Sequence, residues 1–165
     1  MIELILGGAR SGKSSFAEAQ ARASGLKVIY LATGEARDDE MAARIAHHRA
    51  RRPAGWRTVE EPLALAAALA RMAARDTCVL VDCLTLWLAN VLLAERDGEV
   101  AKLLEALPGL PGRIILVSNE VGWGIVPENA LARRFRDEQG RLNQKVAALA
   151  DRVTLVAAGL PLALK

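Results

Sequence analysis

The stretch IELILGGARSGKSS at residues 2–15 decides the fold, because it joins an apolar run to a glycine-rich loop and then to a helical pattern. The loop fits the pattern G-x4-G-K-[ST], with Gly7, Gly12, Lys13 and Ser14 at its fixed positions. In such a loop the backbone N–H groups surround phosphate oxygens, and the following helix adds partial positive charge. The alternative is a glycine-rich turn that only caps a helix. The full motif between strand and helix favours a phosphate-binding loop, in which Lys13 reaches the terminal phosphates and Ser14 ligates Mg²⁺.

Apolar runs alternate with helical patterns along the rest of the chain. We predict strands over 2–6, 27–33, 56–59, 77–81, 113–118 and 152–157, the last strand of the chain, and helices over 15–24, 38–52, 62–74, 84–94, 99–107 and 129–150. Continuous apolar strands that alternate with helices indicate a parallel sheet covered on both faces. We therefore predict an α/β fold, a P-loop NTPase-like three-layer sandwich with a mostly parallel central sheet, in a single domain over residues 1–165.

The composition limits the classes of function. The 165 residues are 52% apolar and 25% charged, which is typical of one ordinary globular domain and excludes a disordered chain. Basic and acidic residues number 22 and 19 and are well mixed, and aromatic residues make up 4%, so nucleic acid is not an expected partner. Cys78 and Cys83 form no disulfide framework or zinc spacing. This cysteine usage favours a reducing compartment, so we expect a cytoplasmic protein, and we find no signal peptide and no apolar run that could span a membrane.

A phosphate loop needs a further carboxylate to hold the metal shell, and Asp82 directly follows the apolar run at 78–81. The other interpretation is that Asp82 caps the helix predicted from residue 84, and one side chain can serve both roles. The loop motif does not identify the phosphate acceptor, because small-molecule kinases, GTPase switches and DNA motors share it.

The two histidines, His47 and His48, are adjacent in the predicted helix 38–52 and are followed by arginines. At about 100° per residue, His48 shares a helix face with Met41 and Ile45, so we expect it to face the body of the protein. One interpretation is that the arginines bind a polyphosphate while a histidine nitrogen attacks phosphorus and forms a phosphoramidate. The other is a solvated basic helix end with one histidine packed inward. The residue pattern leaves both open.

The segment NEVGWGIVPEN at 119–129 directly follows the strand predicted over 113–118. Two glycines flank Trp123, and Pro127 precedes a helix, which is typical of a shaped loop. Such a loop at the carboxyl end of a strand lies where open α/β sheets bind ligands. The alternative is an ordinary strand-to-helix connection with a packed tryptophan.

Taken together, the chain resembles the bifunctional adenosylcobinamide kinase and adenosylcobinamide-phosphate guanylyltransferase family over nearly its whole length. The matching stretches are GGARSGKS at 7–14, DDEMAARIAHHRARRP at 38–53, WRTVEE at 56–61, NEVGWGIVPEN at 119–129 and RRFRDEQGRLNQ at 133–144. The second and fourth stretches are more diagnostic than the phosphate loop. The chain departs from the family pattern over 95–112, where it is shorter.

The resemblance implies a P-loop fold, a homotrimer with sites near subunit contacts, and two successive reactions that use Mg²⁺. In the first, ATP or GTP phosphorylates the aminopropanol hydroxyl of the corrinoid adenosylcobinamide. In the second, GTP guanylylates an enzyme histidine with loss of pyrophosphate. The GMP then passes to adenosylcobinamide phosphate and gives adenosylcobinamide-GDP in cobalamin biosynthesis.

The resemblance also implies roles for individual residues. His48 matches the guanylylated histidine, Lys13 is a further catalytic residue, and Ser14 and Asp82 are the expected metal ligands. The implied nucleotide-binding residues are Gly7, Gly8, Ala9, Arg10, Ser11, Gly12, Lys13, Ser14, Ala32, Thr33, Gly34, Arg49, Ala50, Arg51, Arg52, Glu60 and Asp82. For Cys83 we expect only packing. Two rival functions are a small-molecule kinase with structural histidines and a nucleotide-driven switch or nucleic-acid motor.

Overall fold

The computed structural model of the chain describes residues 1–36, 39, 42, 43, 46, 53 and 55–165. The helix predicted over 38–52 therefore falls almost entirely outside the described residues. His48 and the residues that follow it, Arg49, Ala50, Arg51 and Arg52, also lie outside them.

The described part of the chain forms one seven-stranded sheet. Its strands are β1 (Ile2–Gly7), β2 (Lys27–Ala32), β3 (Arg57–Glu60), β4 (Thr77–Asp82), β5 (Arg113–Asn119), β6 (Arg152–Ala157) and β7 (Leu160–Ala163). They lie in the order β3-β2-β4-β5-β1-β6-β7. All neighbouring pairs are parallel except β6 and β7, which are antiparallel. The predicted mostly parallel sheet is confirmed.

The carboxyl-terminal end of the sheet differs from the prediction. The expectation that residues 152–157 form the last strand is wrong, because β7 turns back beside β6. Ala158 and Gly159 have φ values of 50° and 79°, the left-handed conformation that a tight two-residue hairpin turn requires. Alanine rarely adopts this conformation, and Pro161 fits a strand only at a sheet edge. The local sequence pattern therefore did not indicate a hairpin.

Helices cover both faces of the sheet. They are α1 (Lys13–Ala23), α2 (Leu65–Met72), α3 (Leu84–Leu93), α4 (Gly98–Ala106) and α5 (Ala130–Leu149), with a 3-10 turn at Leu107–Gly109. Ala17 and Ala21 of α1 pack on one face against Tyr30 and its neighbours. The other helices pack on the opposite face around the fully buried Trp87. This arrangement confirms the three-layer sandwich. None of the helices in the described ranges is both long enough and apolar enough to cross a bilayer.

A buried ion pair ties α1 to the amino ends of β1 and β5. Arg113 donates from Nε to Oε1 of Glu3 at 3.1 Å and from Nη2 to Oε2 at 2.9 Å. The side chains of Arg113 and Glu3 are only 12% and 7% exposed. Nη1 of Arg113 also donates to the carbonyl of Gln20 in α1 at 3.2 Å. The position of α1 on the sheet, and hence of the loop before it, depends in part on this pair.

We predict that Glu3→Gln lowers the free energy of unfolding by about 3 kcal/mol, because it leaves a buried guanidinium without its counter-charge. The matched control is Glu138→Gln, which removes a more exposed pair with Arg141 and is expected to cost less than about 1 kcal/mol. Urea unfolding followed by circular dichroism measures both changes. Equal losses in the two variants would contradict a special contribution from the buried pair.

Candidate functional site

Several predicted site residues meet at the carboxyl edge of the sheet. Gly7 at the end of β1 is in register with Asn119 at the end of β5. Ala32 at the end of β2 is in register with both Asp82 and Glu60. Because these strands are parallel, their carboxyl ends share one edge, where open α/β sheets bind ligands.

The phosphate loop (residues 7–14) leads from β1 into α1 at this edge. Arg10 and Gly12 have φ values of 56° and 93°, so the loop depends on a left-handed conformation that glycine adopts without strain. The amide of Ser11 donates to the carbonyl of Gly8 at 3.3 Å and closes a turn. Helix α1 begins at Lys13 without a side-chain cap. Its first N–H groups and its dipole are therefore suited to binding an anion at the loop.

The hairpin turn between β6 and β7 supports the phosphate loop from outside. The amide of Gly159 donates to the carbonyl of Ser11 at 2.8 Å. At Gly7, a Cβ atom would lie 2.6 Å from the carbonyl oxygen of Val156 in β6, so a larger residue would displace the strand. This support was not predicted because β7 itself was not predicted. The only local signal was the glycine at 159.

Lys13 is enclosed within the phosphate loop. Its side chain is largely buried, and Nζ donates to the carbonyl of Gly8 at 2.9 Å. Burial lowers the pKa of Lys13, and the negative charge of nearby Asp82 opposes this shift. An ammonium group that has lost much of its hydration interacts strongly with an incoming phosphate, because the local dielectric is low. This arrangement is consistent with the predicted role of Lys13.

Asp82 is held at the end of β4 by a tyrosine on the same face of the sheet. The hydroxyl of Tyr30 donates to Oδ2 of Asp82 at 2.6 Å, and Tyr30 is almost fully buried. Among the described residues, no cluster of three histidine, cysteine or acidic side chains could hold a metal by itself. Mg²⁺ typically takes only one or two protein oxygens and completes its shell with phosphates and water. The hydroxyl of Ser14 and the carboxylate of Asp82 are oxygen donors of the kind that this coordination requires.

Thr33 joins the ends of β2 and β4. Its Oγ1 donates to the carbonyl of Cys83 at 2.7 Å and accepts the amide of Cys83 at 2.9 Å. Asn90 in α3 donates to the carbonyl of Thr33 at 2.8 Å. The hydroxyl of Thr33 thus has a structural use, and its contact with nucleotide stays a prediction, as does that of Gly34. Burial raises the pKa of the Cys83 thiol to about 11, so Cys83 is a neutral packing group near neutral pH.

The structure adds a polar cluster to this edge that sequence analysis did not assign. It consists of Ser118 and Glu120 around the end of β5 with Gln139 and Asn143 of α5. Gln139 and Asn143 are four residues apart and so share one face of α5. Two features of the sequence could have indicated this cluster. Asn119 and Glu120 are polar residues directly after a buried strand, and Gln139 and Asn143 are amides on one helix face.

The segment after Glu120 places apolar side chains in solvent. Trp123 is 73% exposed and Ile125 is 97% exposed. Trp123 therefore does not pack in the core, and the interpretation of this segment as a connection with a packed tryptophan is wrong. The far end of the segment is fixed by Asn129, whose Oδ1 accepts the amide of Leu131 at 2.8 Å as the N-cap of α5.

Of the remaining predicted site residues, Gly8, Ala9 and Ser14 lie in the phosphate loop, and Glu60 is exposed at the end of β3. His48 and the positively charged residues at 49, 51 and 52 fall outside the described residues, so their roles stay predictions.

Solved structures similar to this chain share its fold. The flagellar accessory protein FlaH from Methanocaldococcus jannaschii gives a TM-score of 0.55 at 14% identity, and the match covers 99% of this chain and 77% of that one. The RadB recombinase gives a TM-score of 0.54 at 16% identity, with coverage of 93% and 73%. At this level of identity the likeness confirms the P-loop NTPase-like fold alone.

Comparisons at the level of sequence reach further. The family model described as cobinamide kinase / cobinamide phosphate guanyltransferase matches residues 3–164. The chain is 60% identical to the bifunctional adenosylcobalamin biosynthesis protein CobP of Pseudomonas aeruginosa, with coverage of 100% of this chain and 98% of the relative. It is 44% identical to the bifunctional adenosylcobalamin biosynthesis protein CobU of Salmonella typhimurium, with full coverage of both. The chain is therefore an enzyme that belongs to the cobinamide kinase / cobinamide phosphate guanyltransferase family.

Proposed function

We propose that the chain catalyses two successive reactions on adenosylcobinamide. It phosphorylates the substrate with ATP or GTP, and then transfers GMP from GTP to adenosylcobinamide phosphate through a GMP-histidine intermediate at His48. The observation that carries the proposal is family membership over almost the whole chain, combined with a complete phosphate loop that contains Lys13 and lies near Asp82. The products are adenosylcobinamide phosphate and then adenosylcobinamide-GDP.

In the kinase reaction the phosphate loop grips the triphosphate and Lys13 offsets the charge that develops on the transferred group. The hydroxyl oxygen of the substrate attacks the γ-phosphorus, the bond from that phosphorus to the β–γ bridging oxygen breaks, and a nucleoside diphosphate leaves. Bound Mg²⁺, held by Ser14 and Asp82, would neutralise phosphate charge and orient the triphosphate.

In the guanylyl transfer a nitrogen of His48 attacks the α-phosphorus of GTP and pyrophosphate leaves. An oxygen of adenosylcobinamide phosphate then attacks the same phosphorus, and the histidine nitrogen leaves. Covalent catalysis of this kind divides one difficult transfer into two easier ones. Arg49, Arg51 and Arg52 follow His48 in the sequence and would bind the phosphates of GTP. One phosphate loop serves both reactions by holding the triphosphate differently relative to the acceptor. The γ-phosphorus faces the substrate hydroxyl in the first reaction, and the α-phosphorus is in line with His48 in the second.

We also infer that the enzyme is a cytoplasmic homotrimer with its sites near subunit contacts, as the resemblance implies. Cys78 and Cys83 are free and buried, which is consistent with a reducing compartment. The expected partners are the corrinoid substrate and nucleoside triphosphates, without nucleic acid.

We predict that incubation with GTP and Mg²⁺ adds one guanylyl group to the chain, and that His48→Asn abolishes this adduct. The imidazole at position 48 is the nucleophile, and asparagine lacks its reactive ring nitrogen. Intact-mass spectrometry measures the adduct, which should be labile to acid and stable to base because it is a phosphoramidate.

His47→Asn is the matched control and should keep the adduct, since His47 lies on the other face of the predicted helix. Loss of the adduct in His47→Asn but not in His48→Asn would assign the intermediate to His47. A wild-type protein that phosphorylates adenosylcobinamide but forms no adduct would indicate a kinase whose histidines are structural.

We predict that Lys13→Ala lowers the rates of both phosphorylation and guanylylation by about 10³-fold, because both reactions depend on the same polyphosphate cradle. The control is Lys27→Ala, which removes an exposed lysine paired with Asp76 and should leave both rates unchanged. Rates are measured with labelled nucleotides on protein whose thermal unfolding is checked first. Guanylylation at the wild-type rate in Lys13→Ala would indicate two separate nucleotide sites.

A further inference from the structure

The backbone at the end of β5 is held from three directions. The amide of Asn119 donates to Oγ1 of Thr85 in α3 at 2.8 Å, and its carbonyl accepts Nδ2 of Asn143 in α5 at 3.1 Å. The next amide, that of Glu120, donates to the carbonyl of Gly7 at 3.2 Å. Glu120 is therefore fixed directly beside the first glycine of the phosphate loop.

The side chain of Glu120 is oriented by a buried cluster. Nδ2 of Asn143 donates to Oε1 of Glu120 at 3.1 Å. Oδ1 of Asn143 accepts the hydroxyl of Ser118 at 2.7 Å and Nε2 of Gln139 at 2.9 Å. Because a backbone carbonyl and a carboxylate can only accept, Nδ2 of Asn143 must face them, which settles the orientation of its amide.

This cluster is costly to the fold, which indicates a use beyond stability. Ser118, Gln139 and Asn143 are at most 4% exposed. Oε1 of Gln139 is buried and has no hydrogen-bond partner among the described residues. A partly satisfied buried polar network is less stable than apolar packing of the same shape. Among the described residues, the charged side chain to which this cluster hydrogen-bonds is that of Glu120.

Glu120 and the candidate metal ligand Asp82 are held from opposite faces of the sheet. Tyr30, which binds Asp82, packs in the cluster that contains α1. Asn143, which binds Glu120, belongs to α5 on the other face. A carboxylate beside a phosphate loop repels the triphosphate unless it contacts a metal or a proton donor. Because the two carboxylates are held by different residues on opposite faces, we favour a role for Glu120 other than completing the metal shell at Asp82.

The segment that follows Glu120 is suited to a large and partly apolar substrate. Trp123 and Ile125 are strongly exposed, and Val126 is 56% exposed. Nucleotide phosphates are met by N–H groups and cations, whereas exposed aromatic and aliphatic side chains are suited to the apolar body of an acceptor. Glu120 therefore contacts the phosphate loop through its amide and directly precedes, in the chain, the segment that best fits the acceptor.

We propose that Glu120 is the catalytic carboxylate on the acceptor side of the kinase reaction, an inference that rests on the proposed function. Its carboxylate accepts the proton of the substrate hydroxyl as that oxygen bonds to the γ-phosphorus. The bond between the γ-phosphorus and its bridging oxygen breaks, the nucleoside diphosphate leaves, and Glu120 then returns the proton to water. Asn143 is a positioning residue that acts through Glu120.

The test measures single-turnover phosphate transfer from γ-labelled ATP to adenosylcobinamide, together with ATP affinity and the Mg²⁺ dependence. Glu120→Gln keeps the shape of the side chain and one oxygen that can accept from Asn143, but removes the negative charge and the basic oxygen. We expect transfer to fall by about 10²- to 10⁴-fold with ATP affinity and Mg²⁺ dependence unchanged. The control Glu105→Gln, at an exposed position in α4, should transfer phosphate at the wild-type rate.

Wild-type transfer rates in Glu120→Gln would overturn the inference, and so would a raised Mg²⁺ requirement or a weakened ATP affinity, which would assign Glu120 to the nucleotide side. These results differ from failure of the proposed function, in which the wild-type protein itself would not phosphorylate adenosylcobinamide.

A double-mutant cycle tests the positioning role of Asn143. Asn143→Ala should lower the rate constant for transfer in the wild-type background with little change in KM for either substrate. In the Glu120→Gln background the same change should add little further loss, because the group that Asn143 orients is already inactive. Equal losses in both backgrounds would show that Asn143 is merely structural, and thermal unfolding of each variant confirms that it is folded.

Discussion

The hydrogen bonds on either side of β1 keep the phosphate loop in shape. β1 lies between β5 and β6, and the segments that follow these two neighbours both contact the phosphate loop. On one side the amide of Glu120 donates to the carbonyl of Gly7, and on the other the amide of Gly159 donates to the carbonyl of Ser11. The left-handed Gly12 lies between β1 and α1, so most of the loop belongs to neither element. Its preorganisation for phosphate therefore depends on the sheet order, which brings two distant segments against it.

The charged groups at this edge are also arranged before a phosphate binds. Lys13 has lost much of its hydration, which lowers its pKa, while Asp82 opposes that change from the next strand but one. A buried ammonium that donates to a backbone carbonyl is a less favourable arrangement than one that binds phosphate. The loop thus holds its cation at some cost to the free protein, and the binding of a triphosphate recovers that cost. Such a site favours the anion strongly because little reorganisation is needed when the anion arrives.

The parts of the fold that follow from local patterns were predictable, and those that depend on distant contacts were not. Apolar runs ending at Gly7 and Asp82 indicated strands and placed two polar sites at one edge, because parallel strands share their carboxyl ends. The hairpin at Gly159 was missed, since it needs Ala158 in a conformation that alanine rarely adopts. The contact of Ser118 with Asn143 joins residues 25 positions apart, and no periodicity in either segment signals it. The role of Thr33 between two strand ends was hidden for the same reason, as its partner lies 50 positions away.

The type of hydrogen-bond partner also affects the chemistry that each carboxylate can perform. An arginine would bind Glu120 through two parallel hydrogen bonds, cancel its charge and lower its basicity. An amide orients the same group through one hydrogen bond without adding an opposite charge, and the orientation of that amide is itself fixed by Ser118 and Gln139. Asp82 likewise accepts a hydrogen bond from a neutral hydroxyl, that of Tyr30. Two neutral donors, one on each face of the sheet, thus orient the carboxylates around the ends of β4 and β5. A metal ion or a proton donor can bind to such carboxylates, whereas the phosphate loop itself supplies positive potential that favours only anions.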